Sequence, residues 1–381
     1  MSRFVLPQVN PGERSEHVLT GTDTVIEDLP KVSLHDHLDG GVRPGTIIDI
    51  AAVEGIEIPS TDPVALGEWF RTQADSGSLV DYLDTFAVTL SVMQTADNLE
   101  RIAREFVGDL VADGIVYAEI RWAPELHGER GLTLDNAVEA VQRGIDSAVA
   151  SAAGAGRTIR VGQLICAMRQ ADRADEVAEL AIRHRDRGVV GFDLAGPEQG
   201  FPVSRLASAI AMLDAAWMPR TIHAGEADGL DSIRGALLDG RALRLGHGVR
   251  ISDDIEVEPT GSVSRVTVGK LAEWVRDRGV ALEICPTSNL QTNAFSRFGN
   301  DIAGHPFDLL YQLGFRVTVS TDNRLMSGTT LSREIALLSD VFGYSIDDVL
   351  EFQLNAAEAA FLPADERTQL VAQISAAFER L

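Results

Sequence analysis

The chain has 381 residues, enough for one large core, and its 45% apolar and 24% charged residues match an ordinary globular protein rather than a disordered, collagen-like or disulfide-stapled one. A formal net charge of -24 repels nucleic-acid phosphates and anionic lipid headgroups, so neither nucleic acid nor a membrane is expected as a partner. Only two lysines, Lys31 and Lys270, stand among the 33 basic residues, which removes the P-loop, the Schiff-base lysine and the carbamylated-lysine binuclear centre.

Residues 1–28 read as a polar leader, loose over its first ~20 residues and without the apolar run of a secretion signal, so a cytoplasmic location is expected. A single domain over 29–381 follows. Its first strand is VSLHDH (32–37), and the crossover after it, 41–114, is far longer than one helix requires. The segments IIDIAAVEG, VALGEWFR and LVDYLDTFAVTLSVMQ predict extra helices covering the mouth of the fold. The crossover ends in LERIAREFVGDLVADG, where Leu99, Ile102, Ala103, Phe106, Val107, Leu110 and Val111 keep helical spacing and Gly114 supplies a stop.

Seven further strands follow: IVYAEIRW (115–122), IRVGQLICAM (159–168), VVGFDLAG (189–196), RTIHAGE (220–226), ALRLGHGV (242–249), VALEICPTSN (280–289) and FRVTVSTDN (315–323). Strands alternating with helices imply a parallel sheet. Eight such units, with polar or glycine residues gathered at nearly every strand end, predict an α/β fold of the (β/α)8 TIM barrel type with extra helices inserted after strand 1. Cys166 and Cys285 lie in apolar runs far apart and read as buried free thiols.

Side chains alternate along a strand, so His35 and His37 share one side and Asp36 points away. Alone, such a pair fits either half of a metal site or two polar residues on a half-exposed strand. His223 and His247 also fall at strand ends, however, and Asp322 ends the last strand. Neutral imidazoles and a carboxylate suit zinc, with a position left open for water. His17, His127, His184 and His305 read as surface residues. Glu226, three residues past His223, is placed either as a proton shuttle beside that water or as a first-turn helix glutamate. Asp193 reads as a loop orienter, and Gly196 as a point of close backbone approach.

Taken in order, HDHLDG, DLAG, HAGE, GHG and STDN, with EIRWAPEL and LEICPTSN between them, resemble the adenosine deaminase family of the amidohydrolase superfamily. The resemblance implies one Zn²⁺ held by His35, His37, His223 and Asp322, and hydrolytic deamination of adenosine or 2′-deoxyadenosine in purine salvage. Catalytic roles then fall to Glu226, as proton donor to purine N1, to His247, which orients a water and helps to take its proton, and to Asp322. Substrate contacts fall to His37, to Asp39 at the ribose 5′-hydroxyl and to Gly196 at N3. Asn323 stands where many relatives have a second aspartate. Its amide donates to N7 at any pH, whereas an aspartate must first be protonated. The partner is therefore a small purine nucleoside, and the alternative is another 6-aminopurine, adenine or aminodeoxyfutalosine. A non-catalytic barrel would show a damaged site, and no residue of this one is missing.

Overall fold

The computed structural model describes residues 6–260 and 263–380. Four strands pair in parallel in chain order: β1 (Lys31–His37), β2 (Ile115–Trp122), β3 (Arg160–Met168) and β4 (Val189–Ala195). The chain continues through β5 (Thr221–Ala224), β6 (Arg244–His247), an antiparallel hairpin of β7 (Ile255–Thr260) and β8 (Val263–Val268), β9 (Ala281–Ile284) and β10 (Val317–Val319). Here β5, β6, β9 and β10 form a second parallel arc. Parallel bridges from Phe192 to Arg220 and from Asp36 to Asp322 join the arcs at both edges. The sheet closes on itself, and the TIM barrel stands. The β7–β8 hairpin is an addition that the sequence did not announce, because it stands outside the ring with Val257 and Val266 exposed and so lacks a clean buried-to-exposed alternation.

Five helices fill the long first crossover: α1 (Pro44–Glu54), α2 (Pro63–Ala74), α3 (Leu79–Asp84), α4 (Phe86–Ser91) and α5 (Ala96–Ala112). The α5 helix starts where Thr95 Oγ1 accepts from the Asn98 N–H at 3.2 Å, buries Leu99, Ile102, Ala103, Phe106, Val107 and Leu110, and stops just before Gly114, whose φ is +76°. Next to it runs α6 (Leu134–Gly154), where a Cβ on Gly144 would come within 2.4 Å of the Glu100 carbonyl. That glycine lets the two backbones approach.

Two expectations need correcting. The described part of the leader is not loose: Leu19 and Ile26 are buried in the core, and Arg333 donates to the Pro7 and Leu6 carbonyls at 2.8 and 3.0 Å. Scattered apolar residues in a polar segment suffice to anchor it. The four remaining histidines are buried, not superficial. Each ties loop or helix backbone to a neighbour through a ring nitrogen: His17 to Glu27 at 2.7 Å, His127 to the Met93 carbonyl at 3.0 Å, His184 to Asp135 at 2.7 Å and His305 to the Phe307 N–H at 3.0 Å. A buried imidazole is stable when bonded, and sequence position does not reveal the bond. Cys166 and Cys285 are free and buried as expected. No helix among the described residues is long and apolar enough to cross a membrane.

Candidate active site

The end of β1 and the turn after β10 are laced together by backbone hydrogen bonds, His37 N–H to the Asp322 carbonyl at 2.7 Å and Asp322 N–H to the His35 carbonyl at 3.0 Å. This brings His35, His37 and Asp322 to one point, while Asp36 turns to the other face and meets the Arg324 guanidinium at 2.8 Å. His35 Nε2 lies 3.2 Å from Asp322 Oδ1, His37 Nε2 3.4 Å from the same oxygen, and His37 Nε2 3.2 Å from His223 Nε2. Donors at ~2.0–2.1 Å from one ion lie ~3 Å or a little more apart, so these spacings fit atoms that share a divalent ion. His35 Nε2 is buried and faces Asp322 Oδ1, itself a candidate ligand, as two donors to one metal would. His247 stands close by: one donor atom each from His35, His223, His247 and Asp322 lies within 4.8 Å of the others. His247 and Asp322 both sit in the left-handed backbone region, with φ of 60° and 61°, a conformation that costs a β-carbon residue ~1–3 kcal/mol and clusters at functional sites.

Behind the imidazoles lies a layer of partners that sequence reasoning did not assign, apart from Asp193, which it read as a loop orienter and which instead pairs, fully buried, with His223. Glu283 sits 3.0 Å from His35 Nδ1, Asp193 3.0 Å from His223 Nδ1, and the Asn289 amide 3.0 Å from His247 Nδ1; Ser288 Oγ donates to Asp322 Oδ2 at 2.6 Å. Pairing at Nδ1 turns each Nε2 toward the site. Glu283 and Asp193 are bridged by Arg121 at 2.6 and 3.0 Å, and Arg244 joins Glu283 to Glu119 at 2.6 and 2.5 Å, all fully buried in the barrel. The available signal was that charged residues interrupt apolar strands at inward positions, Glu119 and Arg121 in EIRW and Glu283 in LEIC. Asp193→Asn, which keeps the side chain's shape but not its charge, is expected to weaken metal retention by about 10–100-fold in chelator competition. Unchanged retention would remove Asp193 from this role.

Electrostatics divide the groups. Burial pushes His37, His223 and His247 below the usual imidazole range, which leaves neutral rings with free lone pairs. Burial also raises Asp322, but hydrogen bonding to His35 and the neighbouring imidazoles outweigh it and hold the carboxylate well below its usual range. Glu226 goes the other way: burial first, then the charges of Asp322 and Glu198, raise it well above the usual carboxyl range. Its Oε2 lies 3.4 Å from His247 Nε2, and its Oε1 is buried without a partner. Glu226 is thus an acid that keeps its proton beside the neutral rings of His37, His223 and His247. Burial, offset in part by backbone hydrogen bonds, pushes Asp39 up to about 7.

These groups open into a cavity of about 230 Å³ at the C-terminal ends of the strands. His37, Asp39, Gly196, His223, Glu226, His247, Asp322 and Asn323 line it, while His35 lies fully buried behind. The structure therefore brings together every site residue expected from the sequence. Helices α3 and α4 roof the cavity with Leu79, Tyr82, Leu83, Phe86 and Leu90, and no lysine or arginine lines it among the described residues. Gly196 has φ of +93°, and a Cβ there would meet Gln170 Oε1 at 2.5 Å. Tyr82 and Gln170 are lining residues that no motif signalled. A larger crevice of about 760 Å³ runs along the outer side of β1 past Asp36 and Arg324, and none of the imidazoles reaches it.

The chain matches the family described as Adenosine deaminase over residues 30–377. It is 52% identical over 347 residues to an adenosine deaminase of Mycobacteroides abscessus, covering 91% of this chain and 94% of that one. To adenosine deaminase 1 of Streptomyces coelicolor it is 53% identical, covering 91% and 86%. Among solved structures it is similar to Arabidopsis ADAL complexed with IMP, with a TM-score of 0.78, 27% identity and coverage of 93% and 98%. In fold it is similar to an amidohydrolase from Burkholderia ambifaria with bound Zn, with a TM-score of 0.80, 23% identity and coverage of 97% and 98%.

Proposed function

The chain belongs to the adenosine deaminase family, and from that premise we propose that residues 29–381 form one catalytic unit in which His35, His37, His223 and Asp322 hold a single zinc ion. The reaction is the hydrolytic deamination of adenosine to inosine and ammonia. A zinc ion in this donor set lowers the pKa of a coordinated water to about 7. What carries the reading is that His37, His223, Asp322 and the proton-retaining Glu226 line one small cavity, with His35 buried directly behind it.

The chain's own residues supply the rest. Water oxygen bonds to purine C6, the proton taken from it passes to the amino nitrogen, the C6–N bond breaks and ammonia leaves, while the C6 hydroxyl gives its remaining proton back to Glu226 and becomes the carbonyl. Glu226 gives its proton to N1, which neutralises the charge that enters the ring during attack. His247 orients the water and helps to take its proton, its ring held by Asn289, whose Nδ2 lies 3.0 Å from Nδ1. Asp322, held by Ser288, accepts a hydrogen bond from the same water. His37 stands on the substrate side, the Gly196 N–H faces N3, and Asn323 donates to N7. Asp39, whose Oδ1 is buried without a partner, accepts from the ribose 5′-hydroxyl.

This arrangement favours adenosine and 2′-deoxyadenosine over nucleotides. A carboxylate at the 5′ position and a lining without lysine or arginine give a phosphate no counter-charge. The test is ammonia release from adenosine, 2′-deoxyadenosine, AMP, adenine and an aminodeoxyfutalosine, with and without a chelator. The two nucleosides are expected to be turned over fastest, chelation to abolish turnover and zinc to restore it. Preferential turnover of adenine, AMP or the futalosine would overturn the substrate assignment, and full activity in the chelated protein the metal assignment.

A further inference from the structure

Glu226 stands on no regular element. Residues 225–228 form a bend between β5 and the next helix, Leu230–Leu238, so the strand alone does not hold the carboxyl in place. Four consecutive backbone N–H groups of that bend converge on one side chain, Glu198: Gly225 donates to Oε1 at 2.6 Å, and Glu226, Ala227 and Asp228 donate to Oε2 at 3.1, 2.8 and 2.8 Å. Glu198 is 4% exposed, and its two oxygens accept all four bonds, the pattern of a carboxylate gathering backbone donors. The bend makes the cradle because Gly225 takes φ of +76°, which turns successive amides to one side. The neighbouring residue repeats the clamp, with Gln199 Nε2 donating to the Ala227 carbonyl at 2.9 Å.

Glu198 follows Gly196 by two residues on the loop after β4. One short loop thus carries the backbone proposed to face purine N3 and the carboxylate that grips the bend bearing the N1 proton donor. We propose that Glu198 is a positioning residue for catalysis, holding Glu226 at its reach from N1 by binding the four amides of residues 225–228; this rests on the reading of Glu226 as the proton donor. No other residue type serves equally well. An alanine leaves four N–H groups without an acceptor, two of them buried, and a glutamine turns an NH₂ group against donors.

A displacement of the order of 1 Å at a proton donor costs about 10²-fold in rate. Glu198→Gln is therefore expected to lower kcat for adenosine about 10²-fold, with KM and bound zinc within about threefold of the parent. Glu198→Asp, which keeps the charge on a shorter arm, is expected to lose less, and it supplies the same readouts if the glutamine variant does not fold. The decisive measurement is a double-mutant cycle: in a Glu226→Gln background, either change at 198 is expected to cost less than threefold more, because a group acting through Glu226 has nothing left to position. A full further loss in that background, or loss of zinc with a rise in KM, would overturn the proposal while leaving Glu226's own role intact. Undiminished turnover in Glu226→Gln alone would overturn both.

Discussion

Glu226→Gln is expected to keep its metal and its affinity for adenosine while kcat falls about 10²–10⁴-fold, the range that a positioned proton donor contributes. The amide has nearly the shape of the protonated carboxyl, so packing against His247 survives. What is lost is an acidic proton for N1, and attack on C6 then builds charge in the ring with no neutralising partner. The metal ligands keep their own contacts, because Glu226 meets His247 at 3.4 Å while His35 and His37 meet Asp322 at 3.2 and 3.4 Å. Steady-state kinetics with zinc quantified in the same sample check this. Parent-like kcat in a metal-replete variant would remove Glu226 from the chemistry.

Glu283→Ala is expected to cost about 3–5 kcal/mol of folding stability, read from the shift of a denaturant-unfolding midpoint at constant slope. Glu283 is fully buried and accepts from Arg121 and Arg244 at 2.6 Å each, besides its contact with His35 at 3.0 Å. The two guanidinium groups together hold its carboxylate well below the usual range, although burial alone would raise it. Removing it leaves two buried cations short of a partner, and that unpaired charge, rather than the loss of three contacts, sets the size of the effect. His35 also loses the group that fixes its tautomer, so metal retention is expected to fall alongside stability. A midpoint shift equivalent to less than 1 kcal/mol would mean that water reaches Arg121 and Arg244 in the barrel floor.

Several features were legible before any coordinates. Period-two apolar runs with polar ends mark the eight barrel strands, and the 99–111 pattern marks α5 to within three residues of its start and one of its end. The histidines at 35, 37, 223 and 247 and the acids at 226 and 322 stand out because imidazoles and carboxylates at strand ends are expensive unless they do chemistry. The supporting groups were not legible in the same way. Glu119, Arg121, Glu283 and Glu198 each look like a solvated charge in a linear reading, and only the partner across the barrel shows that each is buried and paired. The same holds for His17, His127, His184 and His305, whose burial depends on single hydrogen bonds to residues up to 49 positions away.

By itself the sequence determined the barrel, the family and the candidate site side chains, because periodicity and residue type are local properties of a chain. Tertiary structure alone decided which nitrogen of each imidazole faces the site, which carboxyl keeps its proton and what holds it there. Those properties come from desolvation and from bonds between residues far apart in the chain, such as His35 with Glu283 and the 225–228 amides with Glu198. Such pairings have no signature until the ring of strands closes.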